Sequence, residues 1–500
     1  MEKTIMKRFI TMGCLLASLL FAACDNYLDI VPKGESVLDK TDDYLGLLED
    51  MYGYPLETEW YLCGEATSYN MQLIEDYSSP LVSAAYFWDE NFDRASNMTT
   101  EGEYDLYSNC YAKIANCNII IDNIGDAEGP EEDKILGMAQ AKILRAYNYF
   151  YLINTYAKPY DPATAETERG IILRDNFNME EAGVQSTVAD AYRLIQQDIE
   201  DALPNLPHVA VNVFRPDKSF GYALKAKVHL FKREIDAALQ ASLDCIAEAE
   251  GEGNHQLWDM NVNYQNCHTW YRGMMNQTAA MWDWFYEYDG PMYSMIGVTG
   301  RNMGYYGKAY GHPENLFYQH GYNFMSPHPT MVPKSVVSLF TPKEDLRYVF
   351  SMETMPSRPT ADPGSKDVQN MQLYWNCGGI KLSEAYLMAA ECYARKGDTG
   401  NAMQYINDLR ENRIITKYYA DLTAADKDEA MKIVREERKR ELLLTHNGFF
   451  DMRRFCTEFN ETLTKEYDGV TYTLKPTSHL LTYPFPVVAM QNSNLIQNSK

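Results

Sequence analysis

The stretch EAYLMAAECYARKGDTGNAMQYINDLR, from Glu384 to Arg410, constrains this chain more than any other. Ala390, Tyr393, Ala402 and Ile406 fall at tetratricopeptide offsets: a small residue, an aromatic, a second small residue and a bulky apolar one. Between the two arms, Gly397 supplies the positive φ that reverses the chain, and Asp398 follows it. Small side chains let two antiparallel helices approach closely. Such a pair cannot bury its apolar face alone, so it demands further pairs stacked against it.

The same frame returns in ALKAKVHLFKREIDAALQASL, where Ala226, His229 and Ala238 hold matching positions and Arg233-Glu234 replaces the Gly-Asp turn. Apolar spacing of three and four predicts helices from Tyr104 to Asn123, Glu131 to Tyr156, about Thr187 to Ala202, and two between Phe220 and Ala249. Three more follow: Ile380 to Arg395, Gly400 to Arg413, and a long charged one from about Ala425 to Leu444. In the second of the series, Ala139, Ile143, Ala146, Tyr147 and Phe150 share one side, and Pro159 lies where the helix cannot continue. The expected fold is therefore mostly α, a scaffold of tetratricopeptide-like helix pairs with a long loop-rich insert containing short strands.

That insert is residues 251 to 330. Between residues 255 and 324 there are 17 aromatic side chains in 70, including four of the seven tryptophans, interleaved with Gly297, Gly300, Gly304, Gly307 and Gly311. Residues 281 to 288, MWDWFYEY, alternate as a strand does, whereas the glycine run has no helical period and does not fit a phosphate-cradling GxGxxG. Trp282 and Trp284 on this strand, and Trp88 at the end of an apolar run, read as core. The insert holds the least core-like concentration of aromatics in the chain.

Charge removes one class of partner. Lys plus Arg number 45 against 70 for Asp plus Glu, and a net charge of -25 repels phosphate backbones, so no nucleic acid is expected. Residues 1 to 23 read as an export signal: Lys3, Lys7 and Arg8 precede an uncharged run from Phe9 to Ala23, too short to span a bilayer. Phe21-Ala22-Ala23-Cys24 resembles a bacterial lipobox, with Phe21 where leucine is usual, so Cys24 is the expected lipid anchor and the mature chain is expected to be tethered.

Other local patterns read as structural. No cysteines show metal-site spacing; Cys110, Cys117 and Cys392 sit in helical apolar patterns, and buried thiols are the expectation for the cysteines after Cys24, with one or two bridges left unassigned. Asp89, Asn91 and Asp93 begin like a calcium loop, but Arg94 stands where glycine is needed and Thr100 where the bidentate Glu belongs. Arg435 to Arg440, REERKR, alternates in sign and reads as a solvated helix face with internal ion pairs. Neither a cofactor nor a metal site is expected.

Several stretches, in order, resemble the SusD/RagB family of Bacteroidetes outer-membrane lipoproteins. They are CDNYLDIVPKGE, YAKIANCNIIIDNI followed by AKILRAYNYFYLINTYAKPY, PKSVVSLFTPKEDLR, IKLSEAYLMAAECYARKGD, REERKRELLLTHNGFFDMRRF and YPFPVVAMQNSNLIQNSK. The resemblance covers roughly residues 24 to 245 and 331 to 500. It divides the chain into a signal (1-23), an N-terminal helical region (24-250), the insert (251-330) and a C-terminal helical region (331-500) in one compact body. Where the family usually carries a Glu three residues before an Arg or His, this chain has Thr445 and Gly448, as expected for a charge pair lost together.

The resemblance implies a cell-surface lipoprotein of the outer membrane. It would bind glycan and deliver it, as a hinged lid, to a SusC-like TonB-dependent transporter on which the helical repeats dock. Sugars stack their C-H faces on flat aromatic rings, and in the family these come from an early loop and from loops after the mid-chain strand. By position that implies Tyr69 and Tyr77, then Tyr293, Tyr305, Tyr306 and Tyr310. A RagB-like peptide-binding partner of a similar transporter is the alternative. A glycoside hydrolase using Asp283 with Glu287, or Asp89 with Glu90, is a third reading, and no catalytic residue is assigned.

Overall fold

The computed structural model describes residues 38–49, 68–69, 80–98, 105–176, 183–262, 264–265, 311–319, 330–341, 344–353, 368–371, 376–443, 445–467, 469–491 and 493–499. Cys24, Tyr77, Trp282, Trp284, Tyr293, Tyr305, Tyr306, Tyr310, Asp283 and Glu287 lie outside them.

Helices dominate the described residues. In chain order the long ones are α1 (Asp105–Asn123), α2 (Glu131–Tyr156), α3 (Val188–Ala202), α4 (Lys218–Phe231) and α5 (Ile235–Glu250), then α6 (Leu382–Lys396), α7 (Thr399–Glu411), α8 (Lys427–Glu441) and α9 (His446–Glu458). Their starts follow from capping chemistry. Thr187 accepts from the amide of Asp190 at 3.0 Å while the Asp190 carboxylate accepts from the Thr187 amide at 3.2 Å; Asp217, Asp398 and Asp426 cap α4, α7 and α8 through single side-chain acceptors. The helices pack as a chain of neighbours: α1 on α2, α2 on α3, α4 on α5, α5 on α6, α6 on α7, with α8 closing against α6 and α7. This is a tetratricopeptide-like scaffold, as expected.

α2 is the axis of the first half. Ala139, Ile143, Ala146, Tyr147 and Phe150 are all buried, and so is nearly everything else from Ala139 to Tyr156. Its tyrosines serve the interior by burying a ring and spending the hydroxyl on a backbone acceptor. Tyr147 and Tyr151 both donate to the carbonyl of Gly378, and Tyr149 donates to that of Arg174 at 2.8 Å. Part of the tyrosine surplus is thus core material. Arg145 crosses to Asp198 of α3 with two bonds of 2.8 and 2.7 Å and reaches Asn118 of α1 at 2.8 Å, joining three helices through one buried guanidinium.

Several sequence expectations take a different form in the structure. The helix predicted from Ile380 begins at Leu382, because Ile380–Lys381 (β2) pairs antiparallel with Asn315–Phe317 (β1). α9 and the hairpin of Leu463–Tyr467 (β3) and Val470–Leu474 (β4), which follow the last predicted helix, come from no periodicity reading. The hairpin turns at Gly469, φ 73°, and lays Lys465 4.3 and 4.2 Å from the ring centroids of Tyr86 and Trp88. Trp88 is buried, as expected of a core residue.

The REERKR segment corrects its sequence reading. Glu437 is 0% exposed and Arg438 2%, with Glu441 beyond them at 3%, so this is no solvated face. Arg440 does pair within the helix, with Glu437 at 2.8 Å and Glu436 at 3.5 Å. The other charges reach across elements: Arg438 to Asp451 at 2.7 Å, Arg435 to Glu461 at 2.6 Å, and Glu437 to Arg347 at 2.7 Å. Alternating sign on this helix provides partners for three different neighbours.

Among the described residues, Cys110, Cys117, Cys245, Cys377, Cys392 and Cys456 are all buried. Arg94, which breaks the calcium-loop pattern, turns inward to the carbonyls of Thr482 at 2.8 Å and His479 at 3.1 Å. Asp93 caps the short helix Arg94–Asn97.

Candidate functional site

Tyr69 belongs to a two-residue strand, Ser68–Tyr69, that pairs antiparallel with Thr330–Pro333; Ser68 faces Met331 and Tyr69 faces Thr330. The pairing brings the early segment expected to carry aromatics alongside the chain where it emerges from the aromatic insert. Val368–Met371 and Met352–Glu353 extend this into a four-stranded sheet. Of the six tyrosines assigned by resemblance, Tyr69 alone lies among the described residues, and its position is given by backbone register.

Both ends of the insert are built into the frame. The amide of Gln256 donates to the carbonyl of Pro313 at 3.2 Å, and the Trp258 ring meets His312 edge-on with centroids 4.7 Å apart. The Trp258 amide donates to Glu314 Oε1 at 2.8 Å, and its carbonyl accepts from Arg413 Nη1 at 2.8 Å. Arg413 Nη2 lies 2.6 Å from the same Glu314 oxygen. Glu314 to Gln319 are all buried. Here the chain assigned to the insert already serves as scaffold.

Beneath these roots lies an ionic cluster. Glu441 takes Arg413 at 2.9 Å and Arg347 at 3.0 Å, with Lys381 at 3.8 Å; Arg347 also holds Asp345 at 2.8 Å. Burial alone would raise the Glu441 carboxyl, but Arg413, Lys381 and Arg347 together hold it below the ordinary carboxylate range. A second cluster sits behind α6: Glu391, 0% exposed, takes Arg454 through two bonds of 2.7 Å and Arg395 at 2.8 Å. Burial opposes its charge, and the guanidiniums of Arg454, Arg395 and Arg438 outweigh it, again depressing the carboxyl.

These carboxylates are committed to arginines and are poorly suited to proton transfer in a hydrolytic site. Two buried carboxyls are instead raised by burial, Asp198 and Asp217. The first is engaged by Arg145, and the second caps α4 and accepts from His255 Nε2 at 3.0 Å. Asp89 and Glu90 are exposed, and Asp89 accepts from the amide of Asn91 at 2.9 Å. Among the described residues no group of three or more His, Cys, Asp or Glu side chains is placed to hold a metal ion. No helix among them is long and apolar enough to cross a membrane.

Sequence reasoning missed Glu314 and Arg413. Glu314 precedes the apolar NLFY with no periodic reason for burial, and Arg413 ends a helix where a basic residue is ordinary. Thr445 and Gly448 have local roles: Thr445 caps α9 and donates to the Leu442 carbonyl at 2.7 Å, while a Cβ at Gly448 would meet nothing within 4 Å.

Two family sequence models match the chain. The first, SusD-like and described as starch-binding associating with outer membrane, spans residues 27–230; the second, the SusD family, spans residues 346–483. The chain belongs to the SusD/RagB family. That family consists of binding proteins rather than enzymes. SusD-like protein P25 of Formosa agariphila is 22% identical over 422 residues, 79% of this chain and 78% of the relative. A SusD superfamily protein of Bacteroides thetaiotaomicron superposes with a TM-score of 0.67 at 18% identity, covering 92% of this chain and all of that one. A SusD-like carbohydrate binding protein of Bacteroides vulgatus gives 0.58 at 16%, with 91% and 97% covered. At these identities the structural likeness speaks for the fold.

Proposed function

We propose that this SusD-type protein binds carbohydrate at the cell surface and delivers it to a SusC-like TonB-dependent transporter of the outer membrane. The supporting observation is the register of Tyr69 against Thr330, which sets the early segment beside the chain that leaves the aromatic insert. Family membership and a structural neighbour named for carbohydrate binding point the same way. Stacking would fall to Tyr69, Tyr77, Tyr293, Tyr305, Tyr306 and Tyr310, with neighbouring amides and carboxylates meeting hydroxyls. Cys24, acylated after removal of residues 1 to 23, would tether the protein, raising the effective concentration of ligand at the transporter without high intrinsic affinity. No bond is made or broken in this role, in keeping with buried carboxylates occupied by arginine.

Affinity electrophoresis against a polysaccharide panel tests the reading. Retardation by at least one polymer, weakened in Tyr305→Ala and Tyr306→Ala at unchanged melting temperature, is expected. Binding to peptides and to no carbohydrate would favour the RagB-like alternative, and product released by the purified protein would favour a hydrolase. Labelled palmitate entering the protein in its host, but not Cys24→Ala, is the expected result for the anchor.

A further inference from the structure

Glu314 and Arg413 are 1% and 2% exposed, and their side chains do something that helix packing does not require. Between them they take both backbone polar groups of Trp258, a residue outside any helix or strand. A buried amide or carbonyl without a ladder partner needs another acceptor or donor, and an ion pair supplies both at once. An apolar plug of the same volume would avoid the desolvation of two charges and often stabilise a fold equally well. It could not hold an irregular backbone in one place.

The surrounding bonds extend the grip to both roots. On the incoming side, the Met260 amide donates to the Asn412 carbonyl at 3.0 Å. Asn261 donates to the carbonyls of Ile414 and Glu411 at 3.0 and 3.2 Å and accepts from the Thr416 amide at 3.0 Å. On the outgoing side, the Leu382 amide donates to the Glu314 carbonyl at 2.8 Å, tying the root to the start of α6. Glu441 then holds the far side of Arg413, so the guanidinium that carries the clamp is itself fixed to α8.

We propose that the Glu314–Arg413 pair is a positioning device that seats residues 255–262 and 312–319 on the helical frame, so that ligand affinity depends on two residues that touch no ligand. The affinity clause rests on reading the residues between those roots as ligand-bearing; the seating clause does not.

Hydrogen exchange followed by mass spectrometry on the full chain tests the seating. In Glu314→Ala, exchange over residues 255–262 and 312–319 is expected to quicken about tenfold while α2 is unchanged, because local opening costs less there. Glu314→Gln, which keeps an acceptor for the Trp258 amide but loses the charge, is expected to fall between, and it decides the matter if the alanine variant does not fold. Unchanged exchange at the roots, or an equal rise everywhere, would overturn the device. With any polysaccharide that retards the wild type, Glu314→Ala is expected to bind more weakly and Glu314→Gln to recover part of the loss. Unaltered affinity would overturn the positioning role. A wild type that binds no polysaccharide sinks the proposed function and leaves the exchange result standing.

Discussion

Arg233 and Gly397 occupy the same left-handed backbone position in two successive helix pairs, at φ 63° and 80°. The residues after them match as well: Glu234 at φ -87°, ψ 69° and Asp398 at φ -84°, ψ 78°. The turn that looked degraded in sequence is preserved in geometry, with a side chain strained where glycine is at ease. Glu234 offsets part of that by pairing with Lys232 and His229, each at 2.6 Å.

Arg233→Gly is therefore expected to stabilise the protein by about 0.5–1 kcal/mol, relief of the left-handed strain being partly cancelled by the freer unfolded chain. Gly397→Arg should cost about 1 kcal/mol by the same reasoning. Denaturant midpoints measure both; a loss of stability in Arg233→Gly would show that the arginine side chain supplies more than its backbone costs.

The two arginine–carboxylate environments around α8 and α9 should differ sharply. Glu391→Gln leaves Arg454, Arg395 and Arg438 with an uncompensated buried charge and is expected to cost about 3 kcal/mol or more. Arg435→Ala breaks a pair whose side chains are 26% and 35% exposed and is expected to cost about 1 kcal/mol or less, despite the packing of Arg435 on Phe455. Similar losses in the two variants would mean that burial does not set the value of these pairs.

The helical frame was legible because its signals are local and repetitive: small residues at fixed spacing, prolines past helix ends and a Gly-Asp turn. Its weakest reading was REERKR, where sign alternation cannot reveal that Asp451, Glu461 and Arg347 stand opposite. The β3–β4 turn carries a sequence signal of its own, the Asp468-Gly469 pair between strand-like runs. Glu314 and Arg413, 99 residues apart, had none, since their meeting depends on tertiary packing. Thr445 and Gly448 read in sequence as a charge pair lost together and prove to be a helix cap and a position where a Cβ would meet nothing within 4 Å.

Thiol accessibility offers a direct check on the core. Burial pushes the thiols of Cys117 and Cys392 up to about 12 and that of Cys245 well above its usual value, so little thiolate forms near neutrality. Native protein is expected to leave Cys110, Cys117, Cys245, Cys377, Cys392 and Cys456 unmodified by a thiol reagent, and denaturant to expose all six. Peptide mapping that finds any of them labelled in the native state would contradict the packing around that cysteine: α1, α5, α6, α9 or, for Cys377, the segment leading into β2.

Acid should weaken the fold in two stages. Burial pushes His312 down to about 4 from the ordinary 6.5, and burial followed by the charge of Lys227 pushes His446 well below it. Each binds a proton less readily folded than unfolded, so its contribution is complete above about pH 6.5 and is withdrawn as pH falls, reaching about 3 kcal/mol for His312 by pH 4. Glu391 and Glu441 are depressed carboxyls, whose stabilisation persists until the pH falls below the ordinary value of 4.5 and is then lost. Stability should decline gently from pH 6.5 and steeply below 4.5. His446→Phe, which keeps an aromatic ring beside Tyr151 and Phe450, removes one proton-binding group and should flatten the first stage by up to about 1.4 kcal/mol per pH unit. Melting temperatures from pH 8 to 4 give the slope directly, and an unaltered slope in this variant would assign the first stage to groups other than His446.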